Sequence, residues 1–272
     1  MRKVKLTVFG LMFCLLLHLT GCAAAQKPLR VTLVLKTVTE VAEFWGTLLS
    51  GVEKAAEEYG VELEVLTSPR EIDIDKQIDL IRQVTEDKPD VMILSAADYD
   101  RCAEATEEAI AAGIGVVAID TDVNAAGRAC FVGSNSYEIG LEMGRAMASY
   151  LPEGGKVAVI QHMLTTTTGI ERTRGVLDAL NEAGNIEILG SFCCDNSTEQ
   201  AQTITTELLS ADPEIRGFVC TNEVCNVGAA NALVELGMGG RVYVVGCDNS
   251  QRQIQFLEQN IIQAIVTQRP FN

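Results

Sequence analysis

Apolar runs of five to eight residues alternate along the chain with longer stretches of helical periodicity. The run "RVTLVL" (Arg30 to Leu35) predicts a strand, and "FWGTLLSGVEKAAEEYG" after it has helical spacing and ends at Gly60, a C-terminal cap. The same alternation continues through strand "VELEVL", helix Ile74 to Glu86, strand "DVMILS", helix Cys102 to Ala112 and strand "GVVAID". After "CFVGSN" the rhythm restarts with helix Tyr137 to Leu151, strand "KVAVIQ", helix Ile170 to Ala183, strand "IEILGSF" and helix Thr198 to Leu209. Strand "RGFVCT", helix Glu223 to Leu236, strand "RVYVVGC" and a helix near Ile254 follow. The strands show little polar alternation, which predicts parallel sheets buried on both faces under helices. Thr168 with Glu171, Ser197 with Gln200 and Asn135 with Glu138 have capping-box spacing just after strands. The fold class expected from this pattern is α/β, with parallel sheets covered by helices.

Ligands of open parallel sheets bind beyond the carboxyl ends of the strands. The first strand leads to Phe44 and Trp45, and "VVAIDTD" ends in Asp120, Thr121 and Asp122. "KVAVIQ" leads to "HMLTTTTG" and then Arg172 and Arg174, "IEILGSFCC" to Asp195 and Asn196, "GFVCT" to Asn222, and "VVGC" to Asp248 and Asn249. Aromatic rings together with carboxylates, amides and a guanidinium suit a sugar or polyol. Its hydroxyls donate and accept while its C–H face stacks on a ring. The competing reading makes Asp120 and Asp248 helix N-caps, Arg172 and Arg174 solvated helix charges, and one of Phe44 and Trp45 core. Arg174, next to Gly175, is preferred as the ligand contact, with Gly175 allowing close lobe contact. His162 reads as structural or exposed, and "GMGGR" (Gly237 to Arg241), between a helix and a strand, as a turn.

Composition narrows the function. The 272 residues carry a formal net charge of −16, which opposes nucleic acid as a partner. No phosphate-binding glycine loop follows a strand. The nine cysteines include no CxxC pair, and several lie inside apolar strands, so no metal, cofactor or disulfide framework is expected. With one histidine outside the leader and no paired base, no catalytic residues are expected either.

The first residues read as an export leader. Arg2, Lys3 and Lys5 precede an apolar run from Leu6 to about Leu19, and small residues follow. The run is short for a membrane span. "LTGC" (Leu19 to Cys22) resembles the lipobox of bacterial lipoproteins, which implies residues 1–21 as signal peptide and lipid on Cys22. An ordinary secretory cut after an alanine is the alternative. Residues 22–30 read as a tether.

The order and spacing of Phe44–Trp45, "AIDTD", "ERTRGVLDAL", "TNEVCNVGA", "VVGCDNS" and "AIVTQRP" together resemble the ribose-type periplasmic binding proteins, the solute-binding components of bacterial ABC sugar importers. The resemblance implies two Rossmann-like lobes with parallel sheets joined by a hinge, 31–134 and 135–268, closing over a sugar, with crossings near Ser134–Asn135 and Gln268–Arg269. It implies stacking by Phe44 and Trp45, and hydroxyl recognition by Asp120, Arg174, Asn222, Asp248 and Gln268. Thr121 stands where ribose binders carry an arginine, Asn196 and Cys247 where they carry phenylalanines, and "AEFW" where they carry an Asn-Pro before the aromatic pair. The implied ligand is therefore a polyhydroxylated molecule other than ribose. The implied partners are an ABC permease, or a receptor kinase if the chain is a sensory module, with the membrane reached by the lipid alone and the protein monomeric. A carbohydrate-active enzyme is the remaining alternative. The family continues past the "QRP" motif, so the chain reads as truncated C-terminally, with 269–272 beginning the return to the first lobe.

Overall fold

The computed structural model describes residues 27–38 and 43–271. The leader, Cys22 and the first part of the tether lie outside the described residues.

The first half is built from β1 (Arg30–Leu35), α1 (Glu43–Tyr59), β2 (Glu62–Thr67), α2 (Ile74–Asp87), β3 (Val91–Leu94), α3 (Ala103–Ala111), β4 (Gly115–Ile119) and β5 (Cys130–Val132). The second half is built from α4 (Ser136–Tyr150), β6 (Gly155–Gln161), α5 (Thr167–Ala183), β7 (Ile186–Cys193), α6 (Thr198–Ala211), β8 (Ile215–Cys220), α7 (Glu223–Glu235), β9 (Tyr243–Cys247), α8 (Gln251–Glu258) and β10 (Ala264–Val266). Each half forms one five-stranded parallel sheet, in order β2-β1-β3-β4-β5 and β10-β9-β8-β6-β7. Read from the opposite edge, the second order repeats the first, so the two lobes share one topology.

The inner strands are buried as expected: β1, β6, β8 and β9 are almost wholly enclosed, with Leu33, Val159, Phe218 and Val244 at zero exposure. The edge strands differ from the expectation. β2 and β5 are largely exposed and β7 and β10 half-buried, because an edge strand is covered along fewer of its sides. β5 and β10 are three residues each, too short to show a periodicity.

Helix ends follow the sequence at most positions. Asn135 and Ser197 accept hydrogen bonds from the N–H groups of Glu138 and Gln200. Gly60 and Gly184 take left-handed φ of 65° and 74° just past α1 and α5. The cap of α5 is Thr166, whose Oγ1 accepts from Gly169 N–H, and not Thr168. "GMGGR" forms the turn between α7 and β9, with Gly237 and Gly240 at positive φ.

The chain leaves the first sheet after Val132 and enters α4 at Ser136, against α5. A Cβ on Gly140 would collide with the carbonyl of Arg172, and one on Gly175 with the carbonyl of Tyr137. Gly175 therefore serves α4–α5 packing inside the second lobe, rather than a contact between lobes. After β10 the chain returns to the first lobe. Gly51 of α1 faces the Phe271 carbonyl too closely for any side chain, and Lys54 Nζ lies 5.6 Å from the Phe271 ring centre.

Candidate functional site

The carboxyl ends of both sheets point into one cleft, which takes its side chains from both lobes. Asp120 follows β4 with φ 61°, and Asp248 follows β9 with φ 73°. These backbone angles are tolerated by aspartate far better than by branched residues. Both carboxylates face the cleft. Asp120 begins no helix, which removes the capping alternative for it. Asp248 does cap, although not its own helix: Oδ2 accepts from Glu223 N–H of α7 at 3.1 Å, while α8 is capped by Ser250. Its other oxygen accepts from Gln268 Nε2 at 2.8 Å.

Phe44 and Trp45 open α1 and line the same cleft, edge to face with ring centres 5.1 Å apart. Trp45 also packs on Leu33, Leu35 and Leu48, so it belongs to core and cleft at once. Asn196, held at φ 53°, donates to Glu71 in the opposite lobe at 2.8 Å and accepts from Asn222 at 2.8 Å.

Two expected residues are elsewhere. Thr121 is buried behind the cleft, its hydroxyl donating to the Ala96 carbonyl at 2.7 Å and lying 3.2 Å from Ser95 Oγ. The turn that brings Asp120 forward sends the next residue back. Arg174 points to solvent over the ring of Tyr137, paired with Glu171. Arg172 is the cleft arginine: it is 3% exposed and donates Nη1–H to the Thr221 carbonyl at 2.8 Å. Helical phase separates the two. Thr168, Arg172, Val176 and Ala179 make the buried face of α5, and Arg174 is half a turn off it.

Six further lining residues were not read from the sequence as ligand contacts: Lys36, Glu71, His162, Thr168, Glu223 and Val224. Lys36 follows the five buried residues at the end of β1, a signal of the same kind as the strand-ending aspartates. Its ammonium lies 2.8 Å from Glu71 and 3.4 Å from Asp120. Burial works against that charge, but the two carboxylates outweigh it and the pKa rises. His162 is buried, not exposed. Its ring contacts Thr221 Oγ1 at 2.7 Å and Thr168 Oγ1 at 3.3 Å. Burial, followed by Lys36 and Arg172, pushes its pKa well below the ordinary value, so it is neutral. Glu71 and Glu223 sit in a loop and at a helix start, where no local pattern marks them.

The lobes are shut on each other. Tyr99 N–H donates to the Thr165 carbonyl at 3.0 Å, Thr165 Oγ1 to the Ala97 carbonyl at 2.9 Å, and Asp122 N–H to Thr167 Oγ1 at 3.0 Å. Two pockets of about 420 and 340 Å³ adjoin the cleft at Phe44 and Gln268, and the free volume enclosed between Lys36, Trp45, His162 and Arg172 is about 40 Å³. That is room for a few waters at about 10–15 Å³ each, well short of a monosaccharide. A ligand of that size must enter with the lobes apart.

Among the described residues no helix is long and apolar enough to cross a membrane, no group of acidic, histidine and cysteine side chains has metal-binding geometry, and the seven cysteines are free thiols.

The family model of the periplasmic binding protein domain matches residues 32–272. The D-allose-binding periplasmic protein of Escherichia coli is 26% identical over 99% of this chain and 88% of its own length. A periplasmic solute-binding protein of an ABC transporter from Actinobacillus succinogenes, solved with bound D-allose, superposes with a TM-score of 0.81 at 27% identity, covering 90% of this chain and 87% of its own. A carbohydrate transporter solute-binding protein from Agrobacterium radiobacter, solved with D-arabinose, has a TM-score of 0.86 at 21% identity, over 91% of this chain and 85% of its own, and supports the fold. The chain belongs to the periplasmic binding protein domain family.

Proposed function

We propose that this member of the periplasmic binding protein family captures a sugar or polyol between its lobes and delivers it to the permease of an ABC importer. One observation carries the reading: rings, carboxylates and amides from both lobes converge on a single cleft at the carboxyl ends of two parallel sheets. The D-allose-binding protein of Escherichia coli and the D-allose-bound solute-binding protein of Actinobacillus succinogenes support it. In this reading Phe44 and Trp45 stack on the C–H face of the ligand. Asp120, Asn196, Asn222, Asp248 and Gln268 bind its hydroxyls, and Arg172 takes the place expected of Arg174. Lobes 31–134 and 135–268 open and close about the crossings near residues 134 and 268.

The site also sets a condition on closure. The bonds that shut the lobes, such as Asn196 to Glu71, use the same groups that would hold hydroxyls. A ligand must therefore replace these contacts as it enters, and its own hydroxyls bridge the lobes instead.

The export leader and "LTGC" support a lipid on Cys22, which would hold a monomeric protein on the outer side of the cell membrane. Cys22→Ser should move the protein to the soluble fraction, and unchanged membrane association would remove the anchor from the proposal.

The function is tested by thermal shift over pentoses, hexoses and polyols. A ligand at 100 times its Kd stabilises by about 2.7 kcal/mol. Trp45, the single tryptophan of the chain, reports the same event by its emission. A panel with no shift, or a shift that survives Asp248→Ala and Arg172→Ala together, would sink the assignment.

A further inference from the structure

Glu223 is the cleft residue that neutral hydroxyls do not account for. It is the first residue of α7 and 2% exposed, yet neither carboxylate oxygen has a hydrogen-bond partner among the described residues. An ionised, unpaired carboxylate in such a place is costly unless a partner arrives.

Neither cation already present reaches Glu223. Lys36 sits on Glu71 and Asp120, while Arg172 donates Nη1–H to the Thr221 carbonyl, keeps its Nε without a partner and makes no ion pair among the described residues. Asp248, the neighbouring acid, has both oxygens occupied, by Glu223 N–H and by Gln268. The lining thus holds four carboxylates, Glu71, Asp120, Asp248 and Glu223, against Lys36 and Arg172. The excess is concentrated at Glu223. Burial raises its carboxyl to about 7; the nearby Ser250 hydroxyl and Glu43 backbone work against the rise, and the charges of Asp248 and Glu43 add to it.

A sugar hydroxyl donates one proton and brings lone pairs of its own into this acid-rich corner. An ammonium donates three, brings no acceptor, and cancels one charge. We propose that the ligand of this cleft carries a basic nitrogen, as in an amino sugar or an amino polyol, and that its ammonium rests on Glu223. The proposal rests on the carbohydrate reading above and narrows it.

The test is calorimetric titration of the whole protein near pH 7 with matched pairs: D-glucosamine and D-glucose, D-galactosamine and D-galactose, D-mannosamine and D-mannose, D-glucamine and sorbitol. In at least one pair the amine should bind at least about tenfold more tightly than its hydroxyl parent, because a charge-assisted bond replaces a neutral one. Glu223→Gln should erase the difference between amine and hydroxyl parent within each pair. Circular dichroism and thermal unfolding check the fold of the variant. If Glu223→Gln does not fold, Glu223→Asp, which draws the carboxylate back by one methylene, should reduce the amine's advantage. Hydroxyl parents that bind as tightly as their amines in every pair, or an advantage that survives the Glu223 variants, overturn the inference and leave the carbohydrate reading standing. No binding in any pair also overturns the inference, and the carbohydrate reading then stands or falls with the wider panel of pentoses, hexoses and polyols.

Discussion

Asp120 and Asp248 occupy the same place in two lobes of one topology: each ends the fourth strand of its sheet, turns left-handed, and donates its N–H to the last residue of the fifth. Asp120 N–H reaches the Val132 carbonyl at 3.0 Å, and Asp248 N–H reaches the Val266 carbonyl at 2.9 Å. Asparagine keeps this conformation and loses the charge. Asp248→Asn should therefore fold normally but bind ligand at least about tenfold more weakly, since a hydrogen bond to a charged group contributes about 1.5–3 kcal/mol. Asp248→Val should lose about 1–3 kcal/mol of unfolding free energy from backbone strain alone. Denaturant titration of the two variants distinguishes the effects, and equal stability would argue against the strain.

Arg172 and Arg174 should behave in opposite ways. Arg172→Ala removes a buried guanidinium and leaves the Thr221 carbonyl without its partner, so it should weaken binding at least about tenfold and lower stability by about 1–3 kcal/mol. Arg174→Ala removes an exposed pair with Glu171, with an effect of about 0–1 kcal/mol on stability and none on affinity. Calorimetry on both variants checks this, and a larger loss of affinity at Arg174 would reverse the assignment.

What the sequence made legible follows from what is local. The alternation of elements, the caps at Asn135 and Ser197, and the acids at the ends of β4 and β9 all depend on residues within a few positions of each other. The choice of Arg174 over Arg172 was decidable from helical phase, since Thr168, Arg172 and Val176 share a face. The role of Glu71 was not. It sits in an irregular loop after an exposed edge strand and becomes a site residue only because Asn196, 125 positions away, meets it across the cleft. Glu223 was hidden for a related reason: an acidic first turn is ordinary helix chemistry, and only the enclosure by the opposite lobe makes it unusual.

Two buried groups give stability opposite dependences on pH. His162 is held neutral in the folded chain, so the unfolded chain binds the extra proton below about pH 6.5, and stability falls as pH drops through that value. Glu223 has its folded pKa raised from 4.5 to about 7, so the folded chain binds the extra proton between those values, and stability falls as pH rises through them. Glu223→Gln should remove the second loss. From pH 5 to pH 8 the variant should gain on the order of 2–3 kcal/mol relative to the unmutated protein, the equivalent of about two pKa units. Thermal or urea unfolding across that range measures it, and parallel curves would show that Glu223 ionises freely.

Gly140→Ala should be disproportionately harmful for one methyl group. The added carbon would drive α5 away from α4 at the Arg172 carbonyl, beside the guanidinium that lines the cleft. A loss of about 1–3 kcal/mol in stability is expected from overpacking, accompanied by weaker ligand binding. Gly46→Ala, which meets open space on an exposed helix, should be neutral or stabilising.

The hydrogen bonds from Asp120 to Val132 and from Asp248 to Val266 tie each cleft acid to the strand from which the chain departs for the other lobe. The fourth and fifth strands of each sheet therefore work as a short lever. A swing of the lobes about the connecting segments reaches the two carboxylates through one peptide-to-peptide link each, without a route through the core. A force exerted on either carboxylate by a bound molecule travels the same link in reverse. In the proposed capture cycle, occupancy of the cleft and the angle between the lobes would be geared to one another through this backbone link.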